Sequence, residues 1–105
     1  MSAPSTIHVR RLANVDYVTL NRPEVRNAFN EHLIAEMTAW AKHAATDGAL
    51  RAIVISGAGP SFCAGADLAW MAKMAGYTQE ENLRDARAAA AMFAAIDALP
   101  MPVVA

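Results

Sequence analysis

Two stretches near the amino terminus have the composition and length of β-strands. Residues 7–12 (Ile-His-Val-Arg-Arg-Leu) and residues 15–20 (Val-Asp-Tyr-Val-Thr-Leu) are rich in β-branched side chains, and only Ala13 and Asn14 separate them. A two-residue gap that contains a turn-prone asparagine is typical of an antiparallel hairpin. Residues 21–23 (Asn-Arg-Pro) then end the second strand, because proline cannot donate a hydrogen bond to a neighbouring strand.

The pattern changes to helical spacing after Asn30. In the segment that follows, apolar residues recur at intervals of three or four, at Leu33, Met37, Ala41 and Ala44. Asn30 suits the N-cap position, since its side chain can accept one of the free backbone N–H groups at the helix start. The spacing predicts a helix that ends at about Thr46, and Gly48 is expected to shape its C-terminal turn.

The short apolar run at residues 52–55 (Ala-Ile-Val-Ile) follows and predicts a buried strand. The order of strand, helix and strand favours a right-handed crossover within an α/β fold. We therefore expect a domain of the α/β class.

The remaining residues predict a short helix, a long helix and a last strand. Asp67 can cap a short helix that runs through Ala75, and Gly76 follows it. Residues 78–81 (Thr-Gln-Glu-Glu) match a capping box and open a longer helix to about Ala98. Two prolines follow that helix, and the apolar residues 103–105 predict a buried strand.

Charge and composition exclude several functions for this chain of 105 residues. With 9 basic against 10 acidic residues, no nucleic-acid surface or polybasic membrane anchor is expected. No apolar run approaches the roughly 18 residues of a membrane span. Cys63 is the single cysteine, so no internal disulfide is possible, and the first residues lack the pattern of a signal peptide. These features predict a cytoplasmic protein.

The stretch with the clearest potential chemistry is residues 61–68 (Ser-Phe-Cys-Ala-Gly-Ala-Asp-Leu), between a predicted strand and a predicted helix. Gly65 and its alanine neighbours leave the backbone N–H groups open to a ligand, and the helix behind them adds partial positive charge. Such a turn suits a negative oxygen. Local chemistry alone, however, favours a simpler interpretation, in which Gly65 lies in a loop and Asp67 caps the helix.

Other chemistries fail on spacing. The glycines at 57 and 59 lack the third glycine of a dinucleotide loop, and no Gly-Lys-Ser/Thr sequence is present for a phosphate loop. His32 and His43 lie eleven residues apart, about 16 Å along one helix, so they are predicted to be surface residues and no metal site is expected. Cys63 is interpreted as a buried structural thiol. Trp70 is interpreted as a packing residue, although it is close enough to the turn to line an acyl pocket.

Three motifs in register resemble one enzyme family. Residues 62–68 (Phe-Cys-Ala-Gly-Ala-Asp-Leu) are similar to the F-x-x-G-x-D-L signature of the enoyl-CoA hydratase/isomerase, or crotonase, family. Residues 20–30 (Leu-Asn-Arg-Pro-Glu-Val-Arg-Asn-Ala-Phe-Asn) resemble its L-N-R-P-x-x-x-N-A segment, and residues 99–105 (Leu-Pro-Met-Pro-Val-Val-Ala) resemble its L-P-x-P-V-I-A strand. The resemblance implies the N-terminal portion of a crotonase-like fold, which is built of ββα spiral units.

The resemblance also implies the site. It assigns to Ala66 one of the two backbone N–H groups of an oxyanion hole, and it places a coenzyme A site on the residues around it: Arg26, Ala64, Gly65, Ala66, Asp67 and Leu68. Arg26 is expected to meet the phosphates or the adenine end, although a solvated loop arginine is the simpler interpretation. Arg22 is expected to be structural.

The substrate implied by the resemblance is a coenzyme A thioester. Adding water to a 2-enoyl thioester, or moving its double bond, creates an enolate-like oxygen that two fixed N–H donors can stabilise. Coenzyme A is part of the substrate, and no other cofactor is implied. Residues 70–77 and 80–83 resemble the hydratase branch that acts on methylglutaconyl-type acyl groups in leucine breakdown; an isomerase of the same family is the alternative.

Residues 1–105 are expected to form the N-terminal part of one domain that is longer in the family. The family's second N–H donor and its catalytic carboxylates follow the last motif, so no glutamate of this chain is assigned a catalytic role. A non-catalytic fragment that binds coenzyme A is therefore a further alternative. Family members are usually trimers or pairs of trimers, which makes a homotrimer or hexamer the implied assembly.

Overall fold

A computed structural model describes residues 5–105, and its centre is a mixed four-stranded sheet. Strands β1 (Ile7–Leu12) and β2 (Val15–Leu20) form the predicted antiparallel hairpin, with Ile7 opposite Leu20. Strand β3 (Ala52–Gly57) runs parallel to β2, and β4 (Val103–Val104) runs parallel to β3. The strand order is β1-β2-β3-β4. The predicted α/β class and the positions of the predicted strands are confirmed. The last strand was wrongly expected to be buried: Val103 and Val104 are 36% and 58% exposed, because β4 is an edge strand of the sheet.

The hairpin turn shows why a two-residue gap was sufficient. Both Ala13 and Asn14 have positive φ angles, +51° and +66°. Two central residues with positive φ are the mark of the mirror-image turns whose twist matches that of the flanking strands. The turn is also tied to the next strand, because the Arg51 N–H donates to the Asn14 carbonyl at 2.8 Å.

Helix α1 (Glu31–Ala44) lies in the connection between β2 and β3 and begins at the predicted cap. The Asn30 Oδ1 atom accepts from the Leu33 N–H at 3.1 Å. The helix ends near the expected position, but Gly48 does not shape its end: Ala45 stays in the right-handed region, and Gly48 is not among the residues with positive φ. The last turn closes through ordinary N–H donations to helix carbonyls, so a left-handed glycine is not required there.

Two more helices follow β3. Helix α2 (Leu68–Met74) is capped by Asp67, and helix α3 (Gln79–Asp97) opens with the predicted capping box of Thr78 and Glu81. A short 3₁₀ turn at Pro23–Val25 comes after β2, where the sequence had predicted only a break. No helix in the described part of the chain has the length and apolar character needed to cross a membrane.

The core lies between the sheet and the helices. Val18 of β2 and Ile53 of β3 are fully buried, and the α1 stripe that includes Leu33 and Met37 is buried with them. Phe29 extends this core toward α2 and α3 through edge-to-face contacts with Trp70 and Phe93, at centroid distances of 6.1 and 6.0 Å. The segment between β3 and α2 is thus anchored at both ends by packed elements.

Candidate oxyanion and acyl-CoA site

The turn between β3 and α2 is held by the segment that precedes α1. Three backbone hydrogen bonds join residues 26–29 to residues 64–67: Ala64 N–H to Arg26 C=O (3.0 Å), Phe29 N–H to Gly65 C=O (2.8 Å) and Asp67 N–H to Phe29 C=O (2.8 Å). Gly65 has φ +92°, a conformation that side chains with a Cβ rarely adopt. Gly65 therefore allows residues 64–67 to run alongside residues 26–29 and to form these hydrogen bonds.

The Ala66 backbone N–H is left free by this arrangement. Phe29 and Ala66 form an isolated parallel bridge, and the bridge uses the groups on either side of Ala66, the Gly65 carbonyl and the Asp67 N–H. In a parallel bridge the central residue directs its own N–H to the opposite side. The Ala66 N–H has no hydrogen-bond partner within residues 5–105, so it is available to donate to a ligand.

An open cavity of about 670 Å³ lies at this turn. Segments before α1 and at the start of α2 line it together with the turn, and the lining includes Arg26, Ala64, Ala66, Asp67, Leu68 and Met71. The structure thus brings five of the six residues predicted for the ligand site around one cavity. Gly65 lies in the same turn and sets its backbone, and a Cβ there would meet no atom within 4 Å.

Two apolar side chains of the cavity are exposed at its edge. The residue exposure is 79% for Leu68 and 43% for Met71, unusually high for large apolar residues. They lie three residues apart on α2 and therefore on the same face of the helix. An exposed apolar edge beside a free backbone donor is typical of a site for a ligand with apolar and polar parts. Met71 was not predicted, although its spacing from Leu68 would have indicated it.

Arg26 lies at the cavity in a strained backbone conformation. It ends the 3₁₀ turn in the left-handed region with φ +54°, and Asn27 follows with φ +57°. A left-handed residue costs about 1–2 kcal/mol, less for asparagine, and such strain often marks functional segments. The Arg26 side chain belongs to an exposed residue, so its charge is accessible at the cavity.

The sequence and structural comparisons agree with these observations. The sequence profile of the family described as enoyl-CoA hydratase/isomerase matches residues 10–105, almost the whole chain. The chain belongs to the enoyl-CoA hydratase/isomerase family. This family assignment confirms the resemblance that the three motifs carried.

Two relatives are named as a hydratase and an isomerase. The chain is 46% identical over 87 residues to the probable enoyl-CoA hydratase echA6 of Mycobacterium tuberculosis, which covers 83% of this chain and 32% of that protein. It is 43% identical over 51 residues to the 1,2-epoxyphenylacetyl-CoA isomerase of Escherichia coli, covering 49% of this chain and 20% of the isomerase. The chain spans about a third of the length of the hydratase relative.

Solved structures confirm the crotonase-like fold. AtuE of Pseudomonas aeruginosa superposes with a TM-score of 0.90 at 30% identity, over 94% of this chain and 38% of that protein. A Legionella pneumophila protein named for the enoyl-CoA hydratase/isomerase (crotonase) group superposes with a TM-score of 0.88 at 36% identity, over 96% and 39%. The expected fold, an N-terminal portion of the crotonase architecture, therefore matches known members.

Asp67 and Arg22 form a largely buried ion pair beside the turn. The Asp67 Oδ1 accepts from the Trp70 N–H at 3.0 Å, and its Oδ2 lies 3.0 Å from the Arg22 Nη1. The Trp70 N–H first, and then the Arg22 guanidinium, hold the pKa of the Asp67 carboxyl below its ordinary value. Asp67 remains ionised at neutral pH, and its carboxylate is engaged inside the protein. The structural role predicted for Arg22 is confirmed.

Trp70, Cys63 and the two histidines of α1 had been predicted to have no chemical role. Trp70 is buried against Phe29, as the packing interpretation predicted, and it lines a separate cavity between helices α1 and α3 rather than the Ala66 cavity. Cys63 was expected to be buried but is half-buried against the core, because it lies in the loop before the turn, and its Sγ lies 3.5 Å from the Gly65 nitrogen. His32 and His43 are exposed on α1, as predicted.

The residue that sequence reasoning missed is Asn27. It is 0% exposed, and both functional groups of its side chain are used. Its Oδ1 accepts from the Arg22 N–H at 2.8 Å, and its Nδ2 donates to the carbonyls of Ala58 and Ser61 at 2.9 and 2.8 Å. The motif contained this asparagine, but nothing local indicated that it connects two loops more than thirty positions apart.

Proposed function

We propose that this chain supplies the Ala66 half of an oxyanion hole, together with part of a coenzyme A site, to an enzyme of the enoyl-CoA hydratase type. The observation that carries the proposal is the Ala66 N–H, which is unpaired within the described residues and belongs to a turn that lines an open cavity. The position of this residue in the family motif supports the same role.

The chemistry requires such a donor at the thioester oxygen. When a nucleophile adds to the β-carbon of a 2-enoyl thioester, negative charge moves onto the carbonyl oxygen. A fixed N–H that needs no reorientation stabilises this charge more in the transition state than in the ground state. The Ala66 N–H is fixed by the hydrogen bonds on either side of it. Its contribution is electrostatic and involves no side chain.

The remaining cavity residues suit the other parts of an acyl-CoA. Arg26 offers a positive charge for a phosphate, and Leu68 and Met71 offer apolar surface for the adenine or the acyl chain. Ala64 carries only a methyl group at an exposed position, which permits close approach of an extended ligand. Asp67 contributes through the helix cap and the turn. Coenzyme A belongs to the substrate, and the proposal includes no other cofactor.

An isomerase of the same family is the second candidate, supported by the identity with the E. coli 1,2-epoxyphenylacetyl-CoA isomerase. Both reactions need the oxyanion donor and differ in how water or a proton is delivered. A chain that only binds coenzyme A is the non-enzymatic alternative. The proposal also includes a preference for methylglutaconyl-type acyl groups and a trimeric or hexameric assembly, which rest on the family resemblance. A cytoplasmic location is proposed from the single cysteine and the amino-terminal sequence.

The proposal is tested by comparing two ligands that differ by one oxygen. Butyryl-CoA has the thioester carbonyl, whereas S-butyl-CoA is the thioether without it. We expect the 105-residue chain to bind butyryl-CoA about 3–10 times more tightly in isothermal titration calorimetry, the range expected for one hydrogen bond. Equal affinities would contradict the Ala66 role. Crotonyl-CoA hydration and 3-enoyl-CoA isomerisation assays then separate hydratase, isomerase and binding-only activities.

Arg26 provides a second test of the coenzyme A site. The Arg26→Gly variant is expected to bind coenzyme A about 3–10-fold more weakly, because Arg26 is the one basic side chain among the described residues that line the cavity. Its melting temperature should change little, since glycine relieves the left-handed strain at φ +54° while adding chain entropy to the unfolded state. Arg87→Ala, which removes a positive charge from the exposed face of α3, is the control and should leave the affinity unchanged. If Arg26→Gly binds coenzyme A as tightly as the wild-type chain, Arg26 is a solvated loop residue that does not contact the ligand.

A further inference from the structure

We infer that Arg22 and Asn27 are positioning residues, which fix the Ala66 N–H by bracing the two loops that meet at the cavity. The inference rests on the proposed function, because it concerns the same donor. Neither residue lines the Ala66 cavity, so any influence on a ligand there must be transmitted through the backbone.

Asn27 braces the loop that leads into the turn. Its amide nitrogen donates to the carbonyls of Ala58 and Ser61, in the stretch between the end of β3 and Cys63. Its carbonyl oxygen accepts from the Arg22 N–H on the other side. Because the side chain is fully buried and its partners are all backbone groups, its contacts determine how far the loop after β3 lies from residues 22–27.

Arg22 braces the segment that follows the donor. Its Nη1 donates to the Ala28 carbonyl and lies 3.0 Å from the Asp67 carboxylate. Ala28 belongs to the segment that bonds to the turn, and Asp67 follows Ala66 directly. The guanidinium therefore connects both sides of the backbone ladder that sets the direction of the Ala66 N–H. The Arg22 side chain is 15% exposed and that of Asp67 7%, so solvent screens this contact only weakly.

Strain in the same segment supports the inference. Arg26 and Asn27 are consecutive residues with positive φ, and the surrounding contacts must hold them there. An oxyanion donor must lie about 2.7–3.1 Å from the position of the developing charge, and displacement of about 1 Å can remove most of its effect. Loss of the Arg22 or Asn27 contacts can therefore weaken the hydrogen bond from the Ala66 N–H to a ligand oxygen while the rest of the cavity changes little.

The test applies the thioester and thioether pair to variants of the 105-residue chain. In Asn27→Gly and Arg22→Met, the preference for butyryl-CoA over S-butyl-CoA should fall from about 3–10-fold to about onefold, while the affinity for S-butyl-CoA stays within about twofold of the wild-type value. Glycine keeps the left-handed backbone at position 27, and methionine retains much of the length of arginine without its donors. Arg22→Lys, which preserves the buried charge, serves as a second variant of that position.

Arg11→Met is the matched control, because Arg11 also joins two segments of the chain, through Asp16 at 2.8 Å and Asp47 at 2.6 Å, but at the opposite end of β2. It should retain the wild-type preference. If Arg22→Met and Asn27→Gly keep the preference, or lose affinity for both ligands in parallel, the residues are structural only and the inference is overturned. If the wild-type chain shows no preference, the proposed role of Ala66 itself fails.

Discussion

Replacing Ala66 with proline is expected to lower kcat for crotonyl-CoA hydration by about 10²–10³-fold, the usual effect of removing one oxyanion donor. The measurement uses a protein in which residues 1–105 replace the matching part of the Mycobacterium tuberculosis hydratase relative. Proline lacks the N–H that the proposal assigns to the thioester oxygen. The loss should appear in kcat, because the N–H binds the enolate more strongly than the ground-state carbonyl.

The fold should tolerate this substitution for a reason that the structure makes clear. The Ala66 N–H donates to no group within the described residues, so proline removes no internal hydrogen bond. The bridge to Phe29 uses the Gly65 carbonyl and the Asp67 N–H, which both remain. The preceding residue is the main point of stress, since proline restricts its neighbour and Gly65 has φ +92°. Thermal melts of both proteins measure this cost separately.

Ala64→Ser is the control for general damage to the turn. It keeps the Ala64 N–H that donates to Arg26 and adds one hydroxyl at an exposed position, so kcat should change much less. A folded Ala66→Pro protein with near wild-type kcat would refute the central assignment, because catalysis would then not depend on the Ala66 N–H.

Local patterns were sufficient to predict most of the fold. The hairpin, α1 and the two capped helices depend on periodicity and on caps that lie within four residues of their partners. Thr78 and Glu81, for example, satisfy each other's backbone in the structure as they do in the capping-box pattern. The helix ends were predicted less well. Gly48 was wrongly expected to shape the end of α1, because a glycine that follows a helix can also lie in an ordinary turn.

The candidate site required information that no local pattern holds. Around Gly65, local chemistry favoured a helix cap, and the structure contains that cap: Asp67 does cap α2. The free N–H next to it follows from pairing with Phe29, which is 37 positions away (66 − 29). Only the family motif indicated it in advance. Asn27 and the Arg22–Asp67 pair are long-range contacts of the same kind, so their partners emerged only with the fold.

Gly57 illustrates this difference and leads to the prediction with the largest expected loss of stability. Gly57→Ala should destabilise the chain by about 3 kcal/mol or more, because close contacts surround the position where a Cβ would lie. That atom would overlap the Ser61 carbonyl, lie 2.5 Å from the Phe62 carbonyl and 2.7 Å from the Asn27 Nδ2. Backbone carbonyls cannot move aside as a flexible side chain does. For a domain of this size, the expected fall in Tm is at least about 12 °C, or cooperative unfolding is lost.

Gly48→Ala is the matched control within the same chain. A Cβ at Gly48 meets nothing within 4 Å, and its φ is not in the left-handed range. The change should leave Tm unaltered or raise it, by up to about 1 kcal/mol in stability, since alanine restricts the unfolded chain. The sequence shows the same residue at both positions, and only the approach of the loop after β3 distinguishes them. Equal melting temperatures for the two variants would mean that this loop does not lie against β3, and the brace at Asn27 would lose its structural basis.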